Sequence, residues 1–191
     1  MADFYNLKFL GLSRQLPILK APSGIKIAGF NSVGDMELLK RAGEDLSKKI
    51  QNLGLDFDVI LTTELKGIPI SQEIARILNK DYVCLRKSIK CYMLNPISVK
   101  SESITSGQVE YFISELDYNK LKGKKVIFVD DVFSTGATFK NMIDFSNNFD
   151  FDIVAGAFIL KEAIKADLNK PLNFEFLGKK VICSGLLPLP D

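Results

Sequence analysis

Four short, nearly unbroken apolar runs that alternate with amphipathic stretches constrain this chain more than any other feature. They are "DVILT" at 58–62, "YVCL" at 82–85, "VIFVD" at 126–130 and "IVAGAFIL" at 153–160. A strand with one wet face alternates apolar and polar residues, whereas continuous runs of this length belong to strands covered on both faces. The intervening stretches carry helical spacing. "DMELLKRAGEDLSKKIQNL" sets Met36, Leu39, Ala42, Leu46, Ile50 and Leu53 on one face, with Asp35 placed to cap it. "IPISQEIARILNK" does the same with Ile70, Ile74, Ile77 and Leu78, and "TFKNMIDFSNNF" with Phe139, Met142, Ile143 and Phe149. Strand alternating with helix predicts an α/β protein built on a central, mostly parallel sheet flanked by helices.

Two regions depart from this alternation. Residues 7–34 hold Pro17, Pro22, Gly24, Gly29 and Gly34, which predicts irregular chain with short strands. Residues 86–125 lack a strong helical period, and "PISVKSES" and "QVEYFISEL" read as a two-stranded antiparallel excursion. The terminal "GLLPLPD" reads as an extended tail. With 191 residues, 47% of them hydrophobic, the chain suits one domain over 1–191 with a sizeable core.

Composition removes several chemistries. There is no histidine, so no Ser-His-Asp triad, Cys-His pair or His-ligated zinc can be assembled. Cys84, Cys91 and Cys183 are odd in number and lack a CxxC spacing, as expected of thiols in a reducing compartment. A formal charge of +2 calls for neither nucleic acid nor an anionic membrane. No segment reaches the roughly 18 apolar residues of a membrane span and the N-terminus has no long apolar core, so a cytoplasmic protein is expected.

Ligands of open parallel sheets bind beyond the carboxyl ends of the strands. Two turns there stand out: "TTELKGIP" (62–69) and "DDVFSTGAT" (130–138). Carboxylates accept hydrogen bonds from vicinal hydroxyls, so Asp130 and Asp131 suit a ribose diol. Ser134, Thr135, Gly136, Ala137 and Thr138 then offer successive N–H donors and hydroxyls, with glycine permitting close approach of a phosphate. Diol and phosphate on one ligand describe a ribose 5-phosphate. A purely structural Asp-rich turn with Ser and Thr capping the next helix would look the same. A nucleoside-triphosphate loop or a dinucleotide fold fits less well, since GxxxxGK[ST] and GxGxxG are both missing.

"VIFVDDVFSTGAT" resembles the phosphoribosyl pyrophosphate (PRPP) binding signature of the type I phosphoribosyltransferases. "TELKGIP" resembles the pyrophosphate loop of the purine branch, usually E-S-R-G-F, with Glu64, Lys66 and Gly67 in register. "LRKSIK" is similar to its R-K-x-x-K segment, and "SRQLPILKAPSGIKIAGF" to its N-terminal opening, the adenine phosphoribosyltransferases agreeing most. The resemblance implies the type I fold, with a small hood over 1–34 and a mobile loop within 86–125. It implies transfer of the phosphoribosyl group of PRPP to a purine, adenine foremost, with release of pyrophosphate. Asp130 and Asp131 would hold the ribose hydroxyls and residues 134–138 the 5-phosphate. Glu64, Leu65, Lys66 and Gly67 would take pyrophosphate, aided by Arg86, Lys87 and Lys90, which read alone would be a solvated loop face. With the two aspartates, Lys66 would be the catalytic group. Relatives often carry a cis peptide in this loop, which puts one at Leu65–Lys66. Mg²⁺ would be bound mainly through substrate oxygens, with Asp130 and Asp131 its protein ligands.

Departures accompany the resemblance. Lys66 replaces the family arginine, keeping the charge but losing the bidentate fork. The L-E-Y-G of the mobile loop has no counterpart in "SESITSGQ", where Glu102 is the nearest acid, and the lid would span Cys91 to Gly107. Ile27 and Phe30 of the hood are candidates to sandwich the base, or simply hood core. Members acting on 6-oxopurines carry an acid where this chain has Ser134, and a lysine after the next strand, where "GAFILKEAI" offers Lys161, Glu162 and Ala163. Ser134 and Ala163 favour adenine, while Lys161 keeps hypoxanthine, guanine and xanthine open. The resemblance suggests a homodimer. A PRPP-sensing regulator without turnover is the rival, although such proteins append a DNA-binding domain for which there is no room before residue 35.

Overall fold

The computed structural model describes residues 3–21, 24–103, 107–164 and 169–190, and between residues 99 and 109 its backbone only. The chain runs β1 (Phe4–Phe9), β2 (Leu12–Lys20), β3 (Lys26–Ala28), α1 (Met36–Asn52), β4 (Val59–Thr63), α2 (Gly67–Leu78) and β5 (Asp81–Leu85). It continues through β6 (Ile97–Ser103), β7 (Gly107–Ile113), α3 (Glu115–Leu121), β8 (Lys124–Phe133), α4 (Ala137–Asn148), β9 (Phe151–Ala163), β10 (Asn173–Phe176) and β11 (Lys179–Pro188).

Six strands form the central sheet in the order β10-β11-β9-β8-β4-β5, parallel except for β10 against β11. Side chains of β8 alternate between two cores. Ile127 and Val129 join α1, α2 and the hood on one face, and Val126 and Phe128 join α3 and α4 on the other. All four are fully buried, which is why the run is unbroken in sequence. The four predicted strands and three predicted helices are present, as is the antiparallel excursion β6–β7.

The helix α1 starts where Asp35 accepts from the Leu38 amide at 3.1 Å. Arg14 of β2 holds the same carboxylate through Nε at 2.6 Å and reaches Glu37 at 3.2 Å, pinning the hood to the helix. This pairing keeps the Asp35 carboxyl below the usual carboxylate range. The expected inward position of Met36 is corrected: it stands on the first turn, beside these ion pairs, and is 66% exposed.

Three further expectations change. The hood is an ordered three-stranded antiparallel sheet. Its first hairpin turns on Leu10 and Gly11, both with positive φ (46° and 74°), and Pro17 sits within β2 opposite Phe4. The "GLLPLPD" stretch is no tail, because Gly185 to Pro188 pair in parallel with Leu160 to Ala163 inside the main sheet. The helix α3 interrupts 86–125 as well. Its cap, Ser114, accepts from the Asp117 amide at 3.2 Å, a Ser-x-x-acid signature readable in the sequence.

Candidate active site

The carboxyl ends of β4 and β8 stand side by side in the sheet, so the turns into α2 and α4 open on one crevice. The strand β8 runs three residues further than its apolar run suggests, because Val132 and Phe133 still pair with Leu160 and Lys161 of β9. Asp130 and Asp131 therefore belong to the strand rather than to the turn. Their side chains point to opposite faces by strand geometry, and the Asp131 amide donates to Asp130 Oδ1 at 2.8 Å.

Asp131 is 7% exposed. Its Oδ2 lies 3.1 Å from Lys66 Nζ but off the hydrogen-bonding direction, so it has a charge partner and no aligned donor. The carboxyl of Asp130 is pushed well above the ordinary carboxylate range, first by burial and then by the charge of Asp131, with Lys66 and Lys87 opposing. A site that offers a proton-holding carboxyl beside an under-donated carboxylate is ready to accept hydroxyl donors.

At the β4 turn, Thr62 Oγ1 donates to Val129 O at 2.8 Å, locking the two strand ends together. Gly67 begins α2 with no room for a side chain: a Cβ there would lie 2.2 Å from Thr62 Oγ1 and 3.1 Å from Asp130 Oδ1. The cis peptide in this loop is Glu64–Leu65, one residue before the expected Leu65–Lys66. Lys66 Nζ donates to Phe30 O at 3.1 Å, so the hood reaches this corner through a main-chain carbonyl. The Phe30 ring itself is buried in the core below the hood, and Ile27 is half-buried on β3. Glu64 gathers the second basic group, since its Oε2 accepts from the Lys87 amide at 3.1 Å and its Oε1 lies 4.0 Å from Lys90 Nζ. The backbone of Arg86 exchanges hydrogen bonds with Phe112, which ties the excursion to this edge. That contact brings in a residue the sequence reading missed: Tyr111 is buried, hydrogen-bonded with Thr63, and its hydroxyl titrates high through burial and the charge of Asp130. Residues 104–106 and the Glu102 side chain of the expected lid lie outside the described residues.

At the β8 turn, Ser134 to Thr138 line a small concavity backed by Phe133, Phe139 and Phe158. Gly136 caps α4 with φ +81° and gives it no side-chain hydrogen bond; the Ala137 amide donates to Thr135 Oγ1 at 3.3 Å, and the positive end of the helix dipole lies at this turn. Ser134 Oγ makes a short hydrogen bond to Glu162 Oε2, placing an acid at the loop's outer edge. Lys161 turns aside, its ammonium 4.2 Å from the Phe174 ring centre. Among the described residues no three His, Cys, Asp or Glu side chains gather as a metal site. A divalent cation here would depend on oxygens supplied by a ligand.

A model of the phosphoribosyl transferase domain matches residues 30–171. The chain belongs to the phosphoribosyltransferase family. Adenine phosphoribosyltransferases are similar in sequence: that of Thermosipho africanus is 32% identical over 130 residues, covering 66% of this chain and 71% of that one. That of Agathobacter rectalis is 30% identical over 144 residues, covering 73% and 78%. The probable purine biosynthesis transcriptional regulator PurR of Streptococcus pneumoniae is 26% identical over 144 residues, and this phosphoribosyltransferase chain spans 50% of its length. The fold matches the crystal structure of adenine phosphoribosyltransferase from Thermoanaerobacter pseudethanolicus with a TM-score of 0.64 at 21% identity, covering 89% of this chain and 95% of that one. No helix among the described residues is long and apolar enough to cross a membrane.

Proposed function

We propose that the chain transfers the 5-phosphoribosyl group of PRPP to a purine, adenine in preference, giving the nucleoside monophosphate and pyrophosphate. The observation that carries this reading is the meeting of three complementary groups at one crevice: the aspartate pair, the amide-lined loop 134–138 and Lys66 at the neighbouring turn. They suit the ribose hydroxyls, the 5-phosphate and the pyrophosphate of one ligand.

In this mechanism the purine nitrogen attacks C1 of the ribose as the C1–O bond to pyrophosphate breaks, and the bonding pair leaves with pyrophosphate. The nitrogen's proton passes to solvent or to the leaving group, so no histidine is required. Asp130 and Asp131 orient the sugar, and the Asp131 carboxylate places negative charge near a ring that turns cationic. Lys66 exchanges Asp131 for the departing pyrophosphate, and the backbone around Leu65 and Gly67 adds donors. Glu64 keeps Lys87 and Lys90 close to the same corner. Asp130 and Asp131 are the side chains that would hold a Mg²⁺ ion together with substrate oxygens, and such an ion would supply charge neutralisation for the leaving pyrophosphate. Adenine is favoured because Glu162, fixed by Ser134, offers an acceptor suited to an exocyclic amine, while Lys161 is engaged with Phe174 rather than presented to a 6-oxo group. A homodimer working in the cytoplasm is part of the same reading.

A second reading, a PRPP-binding regulator without turnover, is favoured by the similarity to the pneumococcal PurR. Pyrophosphate release from PRPP and Mg²⁺ with adenine, hypoxanthine, guanine and xanthine separates the two. Turnover with adenine above the others is expected; PRPP binding with no turnover on any base would transfer the assignment to the regulator.

A further inference from the structure

We propose that Phe176, at the end of β10, is a positioning residue that holds loop 134–138 in its phosphate-gripping shape. The proposal rests on the functional reading above, which puts the 5-phosphate in that loop. Phe176 packs edge-on against Phe133, with ring centres 5.3 Å apart and planes at 82°, and lies 6.1 Å from Phe139. Phe133 directly precedes the loop and Phe139 directly follows it, so one ring bridges both ends of the turn.

The loop backbone rests on that ring with no spare space. A Cβ at Gly136 would lie 2.5 Å from Phe176 Cζ, 2.8 Å from its Cε2 and 2.9 Å from Phe133 Cζ. The positive φ of Gly136, +81°, is the conformation that turns the chain into α4, and the ring stands directly behind it. Two residues earlier on β10, Phe174 packs on Phe133 at 5.2 Å and carries the ammonium of Lys161 on its face. The strand β10 is the edge of the sheet, held by β11 through a turn at Leu177 and Gly178. It also lies beyond residues 30–171, the segment that matches the family domain. This chain thus reaches back from its C-terminal hairpin to brace a loop that lies within that segment.

A loop fixed before the ligand arrives loses less entropy on binding, so loosening it weakens phosphate affinity while leaving the neighbouring pyrophosphate corner alone. In the full-length protein, Phe176→Ala is expected to weaken ribose 5-phosphate binding by about tenfold, as read by calorimetry, with pyrophosphate affinity within twofold of wild type. The KM for PRPP rises and kcat holds. Amide exchange at Thr135 to Thr138 speeds up in the ligand-free variant, a readout independent of turnover. Phe176→Leu, which retains apolar volume on an edge strand and adds no atom at the Cζ position facing Gly136, falls between and guards against a misfolded alanine variant. Equal loss of ribose 5-phosphate and pyrophosphate binding, or unchanged exchange across the loop in both the alanine and leucine variants, would overturn the brace. Failure of the wild type itself to bind ribose 5-phosphate would overturn the functional reading, and the brace with it.

Discussion

The two corners of the crevice are held by different forces. Behind loop 134–138 stands a set of packed rings, Phe133, Phe139, Phe158 and Phe176, whose contacts change little when an anion arrives. At the β4 turn the holding contacts are ionic: Lys66 with Asp131, and Glu64 with Lys90. Packing fixes geometry before binding, whereas an ion pair between two binding groups must open for either to work. The contrast suits a site in which the 5-phosphate stays put and pyrophosphate leaves. Lys66 is 46% exposed at its side chain, so its pairing is screened and cheap to break.

The largest effect that would break this contrast is steric. Gly67→Ala drives a methyl into Thr62 Oγ1 and the Asp130 carboxylate, displacing both strand ends at once. A fall in kcat/KM of about 100-fold or more is expected, with stability lowered by about 1–3 kcal/mol. Steady-state kinetics with a thermal melt checks it, and a variant with near-normal kinetics would mean that Gly67 does not abut the reacting groups.

Next in size is Asp131→Asn, which keeps the shape but removes the charge facing Lys66. PRPP affinity should drop roughly ten- to hundredfold, the range for one charge-assisted hydrogen bond, while the protein stays folded. Titration calorimetry with PRPP tests this, and unchanged affinity would take Asp131 out of the site. Smaller again is Lys66→Met, expected to weaken pyrophosphate by about tenfold and ribose 5-phosphate hardly at all. Lys66→Arg sharpens the same point, since a planar fork should tighten pyrophosphate above wild type. If Lys66→Met weakened both ligands alike, the two corners would not be independent.

How much of this was legible in the sequence follows the range of the forces involved. Strands β4, β8 and β9 are buried on both faces, and burial writes itself into a run such as Val126 to Val129, while the edge strand β5 buries Val83 and Leu85 and leaves Tyr82 and Cys84 half-buried. The aspartates and loop 134–138 are contiguous, so their chemistry could be read from one segment. Contacts made across the fold could not. Tyr111 reaches Thr63 only because β7 is stitched to Arg86, and Phe176 reaches Gly136 only through a hairpin whose strand β11 looked like a proline-ended tail. The pairing of Lys66 with Phe30 O spans 36 residues and uses a carbonyl, which no side-chain pattern encodes. The hood hairpin was hidden for a local reason, since Leu10-Gly11 lacks the Asn or Asp that marks such turns.

The smallest predicted effect concerns the proton on Asp130. Its folded value lies above that of an unfolded aspartate, because burial and the charge of Asp131 disfavour the ionised form. The folded protein then holds a proton that the unfolded chain has released, so this group's contribution to stability is fullest below the ordinary carboxylate value. It is lost as pH rises through the window up to about 7. Between pH 5 and 8 the ligand-free wild type should therefore lose roughly 2–4 °C of Tm more than Asp130→Asn, which has no proton to give up. Pyrophosphate should not abolish the difference. By drawing Lys66 away from Asp131 it leaves the acidic pair less compensated, so the gap between the two profiles should persist or widen. Parallel melting profiles for the two proteins would place the titrating charge elsewhere, and the ionic corner would then be set by Lys66 and Asp131 alone.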